Sequence, residues 1–272
     1  MPDRRARTAD GRFARLSAAG RIWAVAAING EARRLARLHD AVSARFQKND
    51  RVVYLGNYLG RSGAVVETID ELLDFRRRVL GRPGGRACDV VFLRGTQEEM
   101  WQKLLQLQFS PSPGQLLEWL ARAGLETTVR AYGGDLQQGF AACRDGAQTI
   151  TRWTSALRTA MNATPGHTAL FAALRHTALT DDRGLLFVHA AVDPSRPLAA
   201  QGDAFWWGRE DILQLTDSFE GFRRVVRGLD RERRGLVEGE FAVSVDGGAG
   251  EGGSLIAACF GSDGSVVDLA EV

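Results

Sequence analysis

The side chains best suited to chemistry are few and scattered. Four histidines are present, His39, His167, His176 and His189, and imidazole is the commonest proton carrier and metal ligand near neutral pH. His189 closes an apolar run, Leu185–His189, that reads as a strand. His39 falls on a helical pattern and is expected at the surface; His167 and His176 fall in a stretch expected to be helical over 166–178. The three cysteines (Cys88, Cys143, Cys259) are odd in number and far apart, with no C-x-x-C pair. That spacing excludes a disulfide framework and a zinc ribbon and leaves buried free thiols.

There is no Gly-x-x-x-x-Gly-Lys phosphate loop and no serine framed as a nucleophile elbow. Gly247, Gly248, Gly250, Gly252 and Gly253 read as a hairpin turn, since no helical pattern follows them. Arginine supplies nearly all the positive charge, Lys48 and Lys103 being the only lysines. The net charge of +2 gives no global field to recruit nucleic acid. RNA contact through the arginine-rich start, or through Arg231, Arg233 and Arg234, would show itself as steep salt dependence.

The elements that must position these groups follow from apolar periodicity. A chain of 272 residues, 44% hydrophobic and 25% charged, can bury one sizeable core. No apolar run reaches bilayer length, and the start does not read as a signal peptide, so no membrane and a cytoplasmic setting are expected. Residues 1–19 carry five arginines and few apolar side chains and are expected to be a disordered basic tail, with one domain over 20–272. Residues 22–28, 52–55 and 89–93 read as strands, and 31–47 and 64–80 as helices. That β-α-β-α-β order implies a parallel sheet, with ligands gathering at the strands' carboxyl ends: 27–31, 56–62 and 94–98. Residues 97 to about 180 read as largely helical, and strands return at 185–189, 224–226, 241–245 and 255–260. A second sheet facing the first is expected.

At those strand ends stand Ala26-Ala27-Ile28-Asn29-Gly30, Gly56-Asn57-Tyr58-Leu59-Gly60-Arg61-Ser62, Gly95-Thr96-Gln97-Glu98, Val188-His189-Ala190-Ala191 and Gly228-Leu229-Asp230. In order, spacing and flanking strands they resemble the blocks G-D-x-H-G, G-D-x-x-D-R-G, G-N-H-E, H-A-G and G-H-T of bacterial serine/threonine protein phosphatases in the calcineurin-like metallophosphoesterase superfamily. Trp207-Gly208-Arg209-Glu210 resembles that family's W-x-R-E, and Val245-Asp246-Gly247-Gly248-Ala249 its D-T-G-A turn. The likeness runs from residue 21 to about 270. It implies an α/β fold, a four-layer αββα sandwich of two facing mixed sheets with helices outside.

The family's chemistry needs two divalent metals about 3.5–4 Å apart, held by carboxylates and imidazoles. The resemblance places the ligands at Ala27, Asn29, Asn57, Thr96, His189 and Leu229, of which only His189 is a good donor. The family's acid pair falls on Gly60 and Gln97, neither of which titrates. Its phosphate-gripping arginines fall on Arg61 and Arg209, which with His189 would line an anion pocket. The expectation is therefore a pseudophosphatase: no catalytic residue, no metal, no cofactor, and a phospho-ligand or protein as partner. The rival is a hydrolase with a remodelled site, for which Glu31, Glu98, Asp193 and Asp246 are the nearby carboxylates.

Overall fold

The computed structural model describes residues 11–17 and 20–272. Strand β1 (Phe13–Leu16) precedes β2 (Ile22–Val25), helix α1 (Ala32–Ser43), β3 (Arg51–Tyr54), α2 (Val65–Leu80) and β4 (Val90–Phe92). Helices α3 (Thr96–Leu105), α4 (Pro113–Leu120), α5 (Glu126–Ala131), α6 (Leu136–Asp145), α7 (Ala147–Ala163) and α8 (His167–Ala173) follow. Then come β5 (Thr177–Thr180), β6 (Leu185–Val188), α9 (Ala204–Trp207), β7 (Arg224–Arg227), β8 (Gly235–Glu238), β9 (Ala242–Asp246), β10 (Ile256–Phe260) and β11 (Val266–Glu271).

Two mixed sheets face each other. One runs β11-β10-β2-β3-β4, with β2, β3 and β4 parallel as the β-α-β-α-β pattern requires. The other runs β1-β5-β6-β7-β9-β8, with β6, β7 and β9 parallel. Side chains alternate along each strand. Ile22, Ala24 and Val53 turn inward to meet Phe187, Val226 and Val243 of the facing sheet. Trp23, Val25, Val52 and Tyr54 turn outward beneath α1 and α2. The outer face of the second sheet packs Leu186, Val188 and Val225 against Phe205 and Trp206 of α9 and against Ile212. No helix among the described residues is long and apolar enough to cross a membrane.

Several expectations need correction. Phe13–Leu16, inside the stretch read as a tail, pairs in parallel with β5; residues 1–10, 18 and 19 lie outside those described. The helical run ends at Ala173, and Thr177–Thr180 is a strand, so His176 lies on neither a helix nor a strand. His39 is buried, because its place beside Leu35, Leu38 and Val42 puts it on the inward stripe of α1. There it bonds Glu71 at 2.5 Å and the Tyr54 hydroxyl at 2.7 Å. Of the cysteines only Cys259 is buried; Cys88 is exposed.

Candidate functional site

The strand ends are tied together by their own backbone. Past β2, the amides of Ile28 and Asn29 both donate to the Asn57 carbonyl beyond β3, at 3.0 and 2.7 Å. The Ala27 amide donates to the Gly228 carbonyl at 3.0 Å, and the Leu229 amide to the His189 carbonyl at 2.9 Å. The Asn57 side chain accepts from the Gln97 amide at the start of α3, at 2.9 Å. His189 Nε2 lies 3.1 Å from the Thr96 hydroxyl. Ala27, Asn29, Asn57, Thr96, His189 and Leu229 therefore meet in one hydrogen-bonded knot. Tight chain reversals make the meeting possible: Asn29 and Asn57 have φ of 52° and 56°, the left-handed region that asparagine tolerates better than most residues.

Glu98 is the anchor beneath this knot. Its carboxylate accepts from four backbone amides, those of Asn57, Tyr58 and Gly95 at 2.8 Å and of Leu59 at 3.2 Å. Burial pushes its pKa up, and those amides pull it back. The other nearby carboxylates are also engaged. Asp246 accepts from the Asp230 and Gly248 amides, Asp193 from Ser195, and Glu31 from the Ser62 hydroxyl. Among the described residues no group of three His, Cys, Asp or Glu side chains could hold a metal ion.

Gln97 and Gly60 fit as a pair. A Cβ at residue 60 would come within 2.5 Å of the Gln97 side-chain amide, so the glutamine fills the space a side chain there would need. Gln97 Nε2 donates to the Ala123 carbonyl at 3.0 Å, in the wide helical turn Ala121–Leu125 that Gly124 kinks at φ 94°.

Above the knot opens a cavity of about 580 Å³, with Asn29, Asn57, Thr96 and Leu229 among its lining. Trp119 and Trp207, whose rings lie 5.5 Å apart, and Trp206 also line it. His189 departs from expectation. It is fully buried and does not line the cavity, its Nδ1 bonded to the Leu55 carbonyl at 2.6 Å. Burial lowers its pKa to about 4, so the ring is neutral at pH 7. The Thr96 hydroxyl that faces it also lies 2.7 Å from the Trp206 carbonyl, and one proton cannot serve both.

Arg61 and Arg209 both line the cavity. Arg61, at φ 46°, pairs with Glu251 at 2.7 Å; sequence reasoning did not single out that partner, a lone acid among glycines. Arg227 and Arg234 share Asp211 and Asp230 as partners. Arg209 and Arg231 are exposed at the cavity and have no ion pair among the described residues.

No protein-family model matches the chain, and neither does any curated protein. Solved structures do match. A candidate diadenosine tetraphosphatase is 19% identical at a TM-score of 0.56, over 96% of this chain and 97% of that one. A cold-active protein tyrosine phosphatase is 11% identical at 0.51, over 96% and 80%. A metallophosphoesterase from Sphaerobacter thermophilus is 14% identical at 0.46, over 93% and 88%. The first two share the architecture of two facing mixed sheets with outer helices, and the fold is that of the calcineurin-like phosphoesterases.

Proposed function

We propose that this chain is a calcineurin-like phosphoesterase relative of the bacterial serine/threonine phosphatase type that binds a phosphorylated or otherwise anionic ligand without hydrolysing it. One observation carries the reading. The positions where the resemblance puts metal ligands offer a methyl group, two amides, a hydroxyl, an isobutyl group and one buried, neutral imidazole. Two divalent cations would bring four positive charges to side chains that supply no negative one, and uncompensated buried ions cost several kcal/mol each. This donor set does not fit a metal pair. The two positions where the resemblance puts the acid pair, Gln97 and Gly60, do not titrate.

What remains suits binding. Arg61, Arg209 and Arg231 line the cavity, the last two with no ion pair among the described residues. Trp119 and Trp207 supply apolar surface for the rest of a ligand. The chain then serves as a binding or regulatory module for a phospho-ligand or protein partner.

The test pairs two measurements on the purified protein. p-Nitrophenyl phosphate should show no turnover above background with Mn²⁺, Zn²⁺ or Mg²⁺ present. Millimolar phosphate should raise the melting temperature by mass action, and the Arg61→Ala/Arg209→Ala variant should lose that rise. A rate abolished both by chelator and by His189→Ala would replace this reading with a hydrolase whose site is remodelled. An undiminished rise in the double variant would reassign the arginines to structure.

A further inference from the structure

Glu251 lies near the tip of the turn joining β9 to β10, where residues 247–253 read Gly-Gly-Ala-Gly-Glu-Gly-Gly. Gly248, Gly250 and Gly252 sit at φ 83°, 81° and 92°, a region open to glycine without strain. The turn is held in place: the Glu251 amide donates to the Gly248 carbonyl at 3.0 Å, and Asn29 Nδ2 to the Ala249 carbonyl at 2.8 Å. The backbone therefore fixes where the Glu251 side chain starts, and that residue lines the cavity.

Its carboxylate lies between two guanidiniums. Arg61 Nη1 contacts one oxygen at 2.7 Å, and Arg233 pairs with the other. The two arginines come from different segments, the loop after β3 and the β7–β8 connection. Arg61 is pressed by its neighbour, since burial first and the Arg233 charge second lower its affinity for a proton. Two guanidiniums converging on two oxygens of one anion are the arrangement with which arginines hold phosphate.

We propose that Arg61 and Arg233 form an anion subsite, that Glu251 occupies it as an internal competitor, and that a phosphate monoester enters by displacing that carboxylate. The proposal rests on the anion-binding reading of the cavity and adds to it Arg233 and a resident occupant. Displacement asks for rotation of one side chain rather than movement of the turn. Ion pairs this exposed are weak, so the occupant reduces affinity severalfold rather than by orders of magnitude.

Isothermal titration with inorganic phosphate tests this on the wild type, Glu251→Gln, and Glu251→Gln/Arg233→Ala. The single variant should bind phosphate about three- to tenfold more tightly than wild type, and the double variant should lose the gain. Glu251→Asp, which keeps the charge on a shorter arm, should gain in the same direction by less. Equal or weaker binding by both Glu251 variants overturns the competitor role, while wild-type binding that depends on Arg209 leaves the anion-binding reading standing. A gain that survives Arg233→Ala overturns the subsite. Phosphate binding by none of the proteins overturns the subsite and the anion-binding reading together.

Discussion

Acid should weaken this fold through His189. The ring is fully buried, and burial brings its pKa from 6.5 down to about 4 against the pull of the Leu55 carbonyl. The unfolded chain takes up a proton at the ordinary histidine value of about 6.5, while the folded chain refuses it until about 4. With the folded value the lower one, the contribution to stability is complete above pH 6.5 and is lost as pH falls through 4. An interval of about 2.5 pH units at about 1.4 kcal/mol each amounts to about 3.5 kcal/mol, of which about 2.5 kcal/mol is already lost at pH 4.5. The assay is urea unfolding followed by tryptophan fluorescence at pH 7.5 and pH 4.5, for wild type and His189→Gln. The glutamine keeps a polar side chain but does not titrate. Wild type should lose about 2.5 kcal/mol more than the variant between the two conditions. His39, lowered by burial against the pull of Glu71, adds an acid loss of the same sign in both proteins and cancels, as do shared carboxylates. Equal losses in the two proteins would refute the reasoning, whatever the absolute stability of His189→Gln.

Two further substitutions probe the knot beneath the cavity. Gly60→Asp should cost about 2–4 kcal/mol in urea unfolding, because residue 60 sits at φ 84° and its new Cβ would meet Gln97; adding Gln97→Ala should return part of that loss. Glu98→Gln should cost about 1–3 kcal/mol, since an amide cannot accept from four backbone N–H groups at both oxygens. Faster hydrogen exchange at the Asn57 and Gly95 amides would locate that loss, and unchanged exchange would contradict it.

The parallel strands of the first sheet were legible because they are buried on both faces and read as apolar runs, as in Ile22–Val25 and in residues 52–54 of β3. Three outer strands were not. Phe13–Leu16 hides among arginines, and Gly235–Glu238 and Val266–Glu271 are half exposed, so their composition says little. His39 was misread although the spacing that buries it, Leu35, Leu38 and Val42, was in plain view; its partner Glu71 lies on another helix. The blocks at the strand ends located the cavity. They did not reveal that Arg61 is already paired, because Glu251 is 190 positions away and no local pattern joins the two.

The convergence of the six strand-end positions needs no ion to explain it. Ala27 and Leu229 are held through their main-chain groups, Asn29 and Asn57 through both backbone and side chain, Thr96 by the Trp206 carbonyl, and His189 by the Leu55 carbonyl. Buried backbone N–H and C=O groups must be paired, and here they pair across the gap between strand ends, with Glu98 collecting four more from below. A methyl at position 27 and an isobutyl at 229 leave those bonds untouched. The side chains at these two positions are thus decoupled from the geometry that brings them together, whereas Glu98, Asn57 and Gly60 are not. Stability and chemistry are separable here, and the separation is measurable. Ala27→Asp should leave the backbone bond to Gly228 intact and be tolerated to the extent that its carboxylate finds donors, while Glu98→Gln, which introduces no charge, should loosen the whole knot.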